Sequence, residues 1–189
     1  MLEGLDALSI AQFHDKRLVD PAWPNVVPAA SLGGAWRWIE ANHRFNGLLW
    51  NEEDRARRTD VDPSEVAASK RLIDRHNQLR NDAVESIDEI ILSLLGDVRR
   101  APGARLSSET AGAMIDRMSI LALKIFHMRE QTQRADAGAD HVEACTAKLR
   151  RLSMQRGDLA ACLDQLLSDA HAGVAYFKVY RQFKMYNDP

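Results

Sequence analysis

The chain predicts an all-α fold, a single-domain antiparallel bundle of five or six helices, and three observations carry that expectation. Apolar residues recur at three- and four-residue spacing through each long segment. No stretch alternates apolar and polar residues as a half-buried strand does, and no fixed-period repeat occurs. Short clusters of glycine, proline and small polar residues divide the segments, so that successive helices are neighbours.

Taken in order, Leu5, Leu8, Ile10, Phe13 and Leu18 define a first amphipathic helix over Leu2–Val19. Asp20–Pro28 holds three prolines and is expected to be an extended connector. Residues 1–30 thus form a helix plus connector, and 31–189 the bundle itself. Ser31 is expected to cap a second helix reaching about Arg58, with Gly33 and Gly34 placed to shift its start. Asp62 as N-cap and Pro63 in the first turn open a third helix, which Gly96, Pro102 and Gly103 end. Ser107 or Ser108 caps a fourth, running to Arg134. Ala135–Asp140 is a loop, a fifth helix spans His141–His171 with a bend at Gly157, and a short final helix follows Gly173.

A chain of 189 residues and 21.2 kDa fits one compact domain, large enough to bury a core without staples. With 46% hydrophobic and 28% charged residues the composition is globular rather than disordered. Lysine and arginine number 25 against 27 acids at a pI of about 6.3, so no basic field points to nucleic acid. The N-terminus carries acids early and lacks an apolar signal core, and no run of 18 apolar residues occurs, which predicts a cytoplasmic, soluble protein with no membrane span. On one helix, Cys145 and Cys162 would stand about 25 Å apart, beyond disulfide reach. Both are expected as buried small hydrophobes in a reducing compartment.

The third helix organises the search for a site. Its stripe reads Ile73, Asn77, Asn81, Val84, Asp88, Ile91, with Lys70, Asp74 and Glu85 alongside. Polar groups on an apolar stripe are costly unless each finds a partner, so the stripe is either a closed interhelical network or a polar pocket. In the second helix Asn46, Glu53 and Arg57 share an edge with Trp50 between them, and Asp54 stands beside Glu53. Adjacent carboxylates suit Mg²⁺, a hard cation that takes oxygen ligands, while a solvated acidic helix end accounts for the same letters. The fourth helix sets Asp116, Lys124 and His127 on one face, a grouping that suits a phosphate or acid–base work, among Met114, Met118, Leu121, Ile125, Phe126 and Met128, which read as core. At the tail Lys178, Arg181 and Lys184 are interleaved with Tyr176, Phe177, Tyr180, Phe183 and Tyr186, either an anion-binding surface or a docked helix with snorkelling bases. No zinc spacing, nucleophile elbow or phosphate-cradling glycine loop is present, and no catalytic residue is assigned.

The segments LWNEEDRAR, KRLIDRHNQLRNDAVESIDE, SSETAGAMIDRMSILALKIFHMRE and YFKVYRQFKMYNDP resemble a bacterial family catalogued only as a domain of unknown function. The likeness covers most of Trp36–Pro189, and FKVYRQFKMYNDP is its most specific part. Members are often encoded beside glycosyltransferases of cell-surface polysaccharide synthesis, so the resemblance implies an envelope-related role and a glycosyltransferase as partner. A looser similarity is to the all-α nucleoside triphosphate pyrophosphatases, whose Glu-Glu-x-x-Glu and Glu-x-x-Asp motifs hold Mg²⁺. Glu52–Glu53 and Glu85-x-x-Asp88 match in part, while Ala56 stands where the third glutamate would.

Three functions are therefore carried forward. The first is a binding or accessory protein for a phosphorylated or sugar-nucleotide ligand, or for a glycosyltransferase. The second is a Mg²⁺-dependent nucleotide pyrophosphohydrolase with Glu53, Asp54, Glu85 and Asp88 as metal ligands, which requires those acids to converge. The third is a structural module acting through an outer surface or a homodimer interface.

Overall fold

The computed structural model describes residues 4–26 and 32–181. Among them are five helices: α1 (Ala7–Leu18), α2 (Ala35–Ala56), α3 (Pro63–Leu94), α4 (Ala111–Thr132) and α5 (Ala139–His171). α2 lies along α3, α4 lies along α5, and α3 and α4 join the two hairpins. α1 packs onto α4 and α5, tied down where Asp164 accepts from the Ala7 amide at 2.8 Å and Arg156 pairs with Asp15 at 2.6 Å.

Helix starts follow local chemistry. Asp62 accepts from the Ser64 amide at 2.8 Å with Pro63 in the first turn, as expected. α2 begins later than Ser31 would allow, with Gly34 as its N-cap; Ser31 itself lies outside the described residues. Thr110, not Ser107 or Ser108, caps α4, its hydroxyl accepting from the Ala113 amide at 3.1 Å. The Ser107 amide is committed elsewhere, donating to the Tyr176 carbonyl at 2.8 Å. α5 runs unbroken through Gly157, which sits at an exposed position with open space around it.

Two segments differ from expectation in kind. The segment after α1 is not extended: residues 21–25 form successive turns, with the Trp23 amide donating to the Asp20 carbonyl and that of Val26 to Ala22, each at 3.1 Å. The turns fold Trp23 inward. Nor do residues 174–181 form a helix, the rest of the expected one lying outside the described residues. Ala175–Tyr176 forms a short parallel ladder with Arg105–Leu106, and burial then alternates, Ala175 and Phe177 inward, Val174 and Lys178 outward. That is strand periodicity, sustained by pairing with a segment seventy residues away in sequence rather than by local propensity.

The main core gathers Leu5 just before α1, Ile10 of α1, Ile39 of α2, Ile87 and Ile91 of α3, Ile115 and Met118 of α4, Leu163 of α5 and Phe177 of the tail. Burial of each such side chain stabilises the fold by about 1.5–3 kcal/mol. Cys145 is buried as expected, but Cys162 is exposed, because it falls on the outer edge of α5 while Leu159, Leu163 and Leu166 face in. No described helix is long and apolar enough to cross a membrane.

Candidate ligand-binding site

The most polar part of the interior lies between α1, α2 and α4. Asn42, His43 and Asn46 of α2 and Ser119 of α4 are all buried. Asp116 accepts from the side-chain amides of Asn42 at 2.7 Å and Asn46 at 2.9 Å. Asn46 also donates to the Ser119 hydroxyl at 3.0 Å. The geometry defines the His43 tautomer. Its Nε2 stands 3.2 Å from the His14 carbonyl, which can only accept, so Nε2 carries the proton. Nδ1 is then an acceptor, and Ser119 donates to it at 2.8 Å. Burial drives the His43 pKa down to about 3, with the nearby Arg17 charge adding to the effect against the opposing His14 carbonyl. His14 is likewise held well below the usual histidine range, by burial first and then by His43 and Arg156.

Trp23 covers this network, its ring stacked on His43 at 4.6 Å while His14 lies 4.4 Å from His43. Gly47 permits the approach, because a Cβ there would overlap the Trp23 ring.

One turn further along α2 the polar edge opens. Asn46, Trp50, Glu53, Asp54 and Arg57 of α2, Asn77 and Arg80 of α3 and Lys124 of α4 line a cavity of about 420 Å³, within the usual range for a small-molecule site. Leu49, Ile120 and Leu123 supply its apolar wall. Arg57 is neutralised by Asp54 at 3.0 Å and Glu53 at 3.9 Å. Arg80 stands 4.0 Å from Asp116, too far for a hydrogen bond, and its buried Nε has no partner. Lys124 has no ion pair among the described residues. Trp50 carries His127 stacked on it at 4.6 Å and 12°, and Glu130 holds the His127 ring at 2.8 Å.

The structure thus brings together Asn46, Trp50, Glu53, Asp54, Arg57, Asn77 and Lys124 in one cavity, with Asp116 at its inner end and His127 against its tryptophan. Asn81, Glu85, Asp88 and Lys178 line a separate cavity of about 220 Å³. Arg181 is an exposed partner of Glu89 at 3.0 Å. Lys70 and Asp74 face solvent on α3, and Lys184 lies outside the described residues.

The expected Mg²⁺ set does not assemble. Glu53 and Asp54 line one cavity and Glu85 and Asp88 the other, and no group of three or more such ligands converges among the described residues. Asp88 instead holds two helices together. Its carboxylate accepts from the Gly112 amide at 2.6 Å, capping α4 across the helix interface. A Cβ on Gly112 would meet the Val84 carbonyl at 2.6 Å, so glycine is what lets α4 come this close. Burial pushes the Asp88 pKa up to about 6 against the bonds from Thr110 and Gly112. Glu52, the other half of the Glu52–Glu53 pair, is buried against Arg55 at 2.5 Å.

Asn42, His43, Ser119, His14 and Arg80 are not singled out by the sequence. A signal exists for two of them, since Ile39, Asn42, His43 and Asn46 repeat on α2 the polar intrusion that marks α3.

The protein is an all-α helical bundle with a buried polar interior and, beside it, an open cavity lined by charged side chains. Residues 36–179 match the family described as Protein of unknown function (DUF4254), and the chain belongs to that family. No curated protein and no solved structure matches it.

Proposed function

We infer that the α2–α3–α4 cavity binds a phosphorylated sugar, free or nucleotide-linked. The observation that carries the reading is the pair of basic groups without full partners in one cavity: Lys124 without an ion pair among the described residues, and Arg80 with a buried Nε that bonds nothing. A phosphate would supply both with an acceptor. Asn46, Asn77, Glu53 and Asp54 around the same space offer donors and acceptors suited to sugar hydroxyls.

Thermal-shift and calorimetric titrations with glucose 1-phosphate and UDP-glucose, each with and without Mg²⁺, test this. At 100 times its dissociation constant a native-state ligand adds about 2.7 kcal/mol, a shift of roughly 5 °C or more for a chain this size. Lys124→Ala and Arg80→Ala are expected to weaken binding about tenfold each, and Lys70→Ala to leave it unchanged. Equal losses from all three variants, or no response to either sugar, would sink the reading.

A further inference from the structure

A second cavity, of about 600 Å³, adjoins the first between α4 and α5 and shares Trp50, Asp54 and Lys124 with it. Its character differs. Trp50, Met128 and Leu152 give it an apolar wall, extended by the aliphatic stems of Lys148 and Arg151. Lys124, Lys148 and Arg151 line it at exposed positions, and none has an ion pair among the described residues. The acids of the same lining are engaged: Glu130 with His127 at 2.8 Å, Asp54 with Arg57 at 3.0 Å. With Asp54 paired to Arg57, three basic side chains against Glu130 leave the lining with net positive charge beside an apolar trough.

We propose that the two cavities form one bipartite site for a phosphorylated amphiphile, with the polar head between α2, α3 and α4 and an apolar chain in the α4–α5 trough. This rests on the reading of the first cavity as a phosphosugar site and names the class of ligand that would fill both. A chain fits the trough better than a nucleobase. The Trp50 face toward His127 is taken by that ring, and the other apolar lining, Met128, Leu152 and the stems of Lys148 and Arg151, is aliphatic and suits a chain. Lys124 lines both cavities, and Lys148 and Arg151 line the trough, so an anionic group joining head and chain would have basic side chains to pair with.

The test is a chain-length series of octyl, decyl and dodecyl phosphate, titrated calorimetrically as monomers below their micelle concentrations, beside glucose 1-phosphate. Burial of the chain predicts about a fourfold gain in affinity per added methylene. Leu152→Glu, a half-buried position on α5, is expected to reduce dodecyl phosphate binding about tenfold or more while glucose 1-phosphate is unaffected. Arg151→Glu, at an exposed position where the fold is not at risk, should weaken all three alkyl phosphates alike and keep their chain-length slope. Affinity independent of chain length overturns the proposal. So does binding to phosphatidylglycerol vesicles with no response to monomeric alkyl phosphates, which would mean surface attraction instead. If glucose 1-phosphate binds and the series is flat, only the trough is lost. If the series rises and neither glucose 1-phosphate nor UDP-glucose binds, the phosphosugar reading is what fails.

Discussion

The interior between α1, α2 and α4 and the cavity between α2, α3 and α4 are made of the same kinds of residue on the same two helices, yet one is closed and the other open. Around His43 the donors and acceptors of Asn42, Asn46, Asp116 and Ser119 satisfy one another, and Trp23 seals them. Around Trp50 the bonding is incomplete: Arg80 donates from Nη2 to Asn81 at 3.1 Å but its Nε bonds nothing, and Lys124 has no ion pair among the described residues. Asn46 belongs to both regions. What separates the two regions is cover rather than complete bonding: the first leaves the His14 ring nitrogens and the Trp23 indole N–H without partners yet sealed in the interior, whereas the second is open.

The sharpest way to break the closed region is His43→Ala. It removes a buried ring, the acceptor of the Ser119 hydroxyl proton and the stacking partner of Trp23, so a loss of about 4 kcal/mol is expected in denaturant unfolding. A loss under about 1 kcal/mol would show that the network contributes little to stability.

Acid is expected to act next most strongly. Between the ordinary value of 6.5 and the His43 value of about 3, the unfolded chain binds protons that native His43 refuses, and His14 is displaced in the same direction. Stability therefore falls as pH drops below 6.5, approaching about 1.4 kcal/mol per pH unit for each histidine. Asp88 opposes this: raised from 3.8 to about 6, it binds its proton more tightly in the native state and adds stability as pH falls through that window. Two histidines outweigh one aspartate, so the net change from pH 6.5 to 5 is a loss of about 2 kcal/mol. Unfolding free energies measured across that range should decline; a flat or rising profile would contradict the buried neutral pair.

The smallest effect belongs to the open region. Lys124→Ala removes an exposed, unpaired charge and should change stability by less than about 0.5 kcal/mol, although it weakens ligand binding. A large loss of stability in that variant would move Lys124 from the site to the framework.

The helices are legible in the sequence because their determinants are local. Asp62–Pro63 specifies the start of α3 by side-chain chemistry within three residues, and the apolar spacing of α4 and α5 repeats every turn. The tail misleads for the opposite reason. Its aromatic and basic residues tolerate helical spacing, and the ladder to Arg105–Leu106 that makes it extended depends on a distant segment. The cavity is half legible. Asn46, Trp50, Arg57 and Lys124 are spaced along their own helices as lining residues should be, whereas Asn81 and Asp88 continue the stripe of Asn77 into a different cavity, because α3 outruns α2 and meets α4 instead. His14 and Trp23 meet His43 only through tertiary packing, and no spacing within one helix could announce them.

Phe177 sits in the same core cluster as Leu5 and Ile10. During synthesis, which adds about 5–20 residues each second, α1 must wait for α4 and α5 to leave the ribosome before the elements it packs on exist. Until then its apolar face is open to any holding factor that meets nascent chains. A ribosome stalled short of Phe177 would present a bundle assembled in outline but unable to close, and so an early target for quality control.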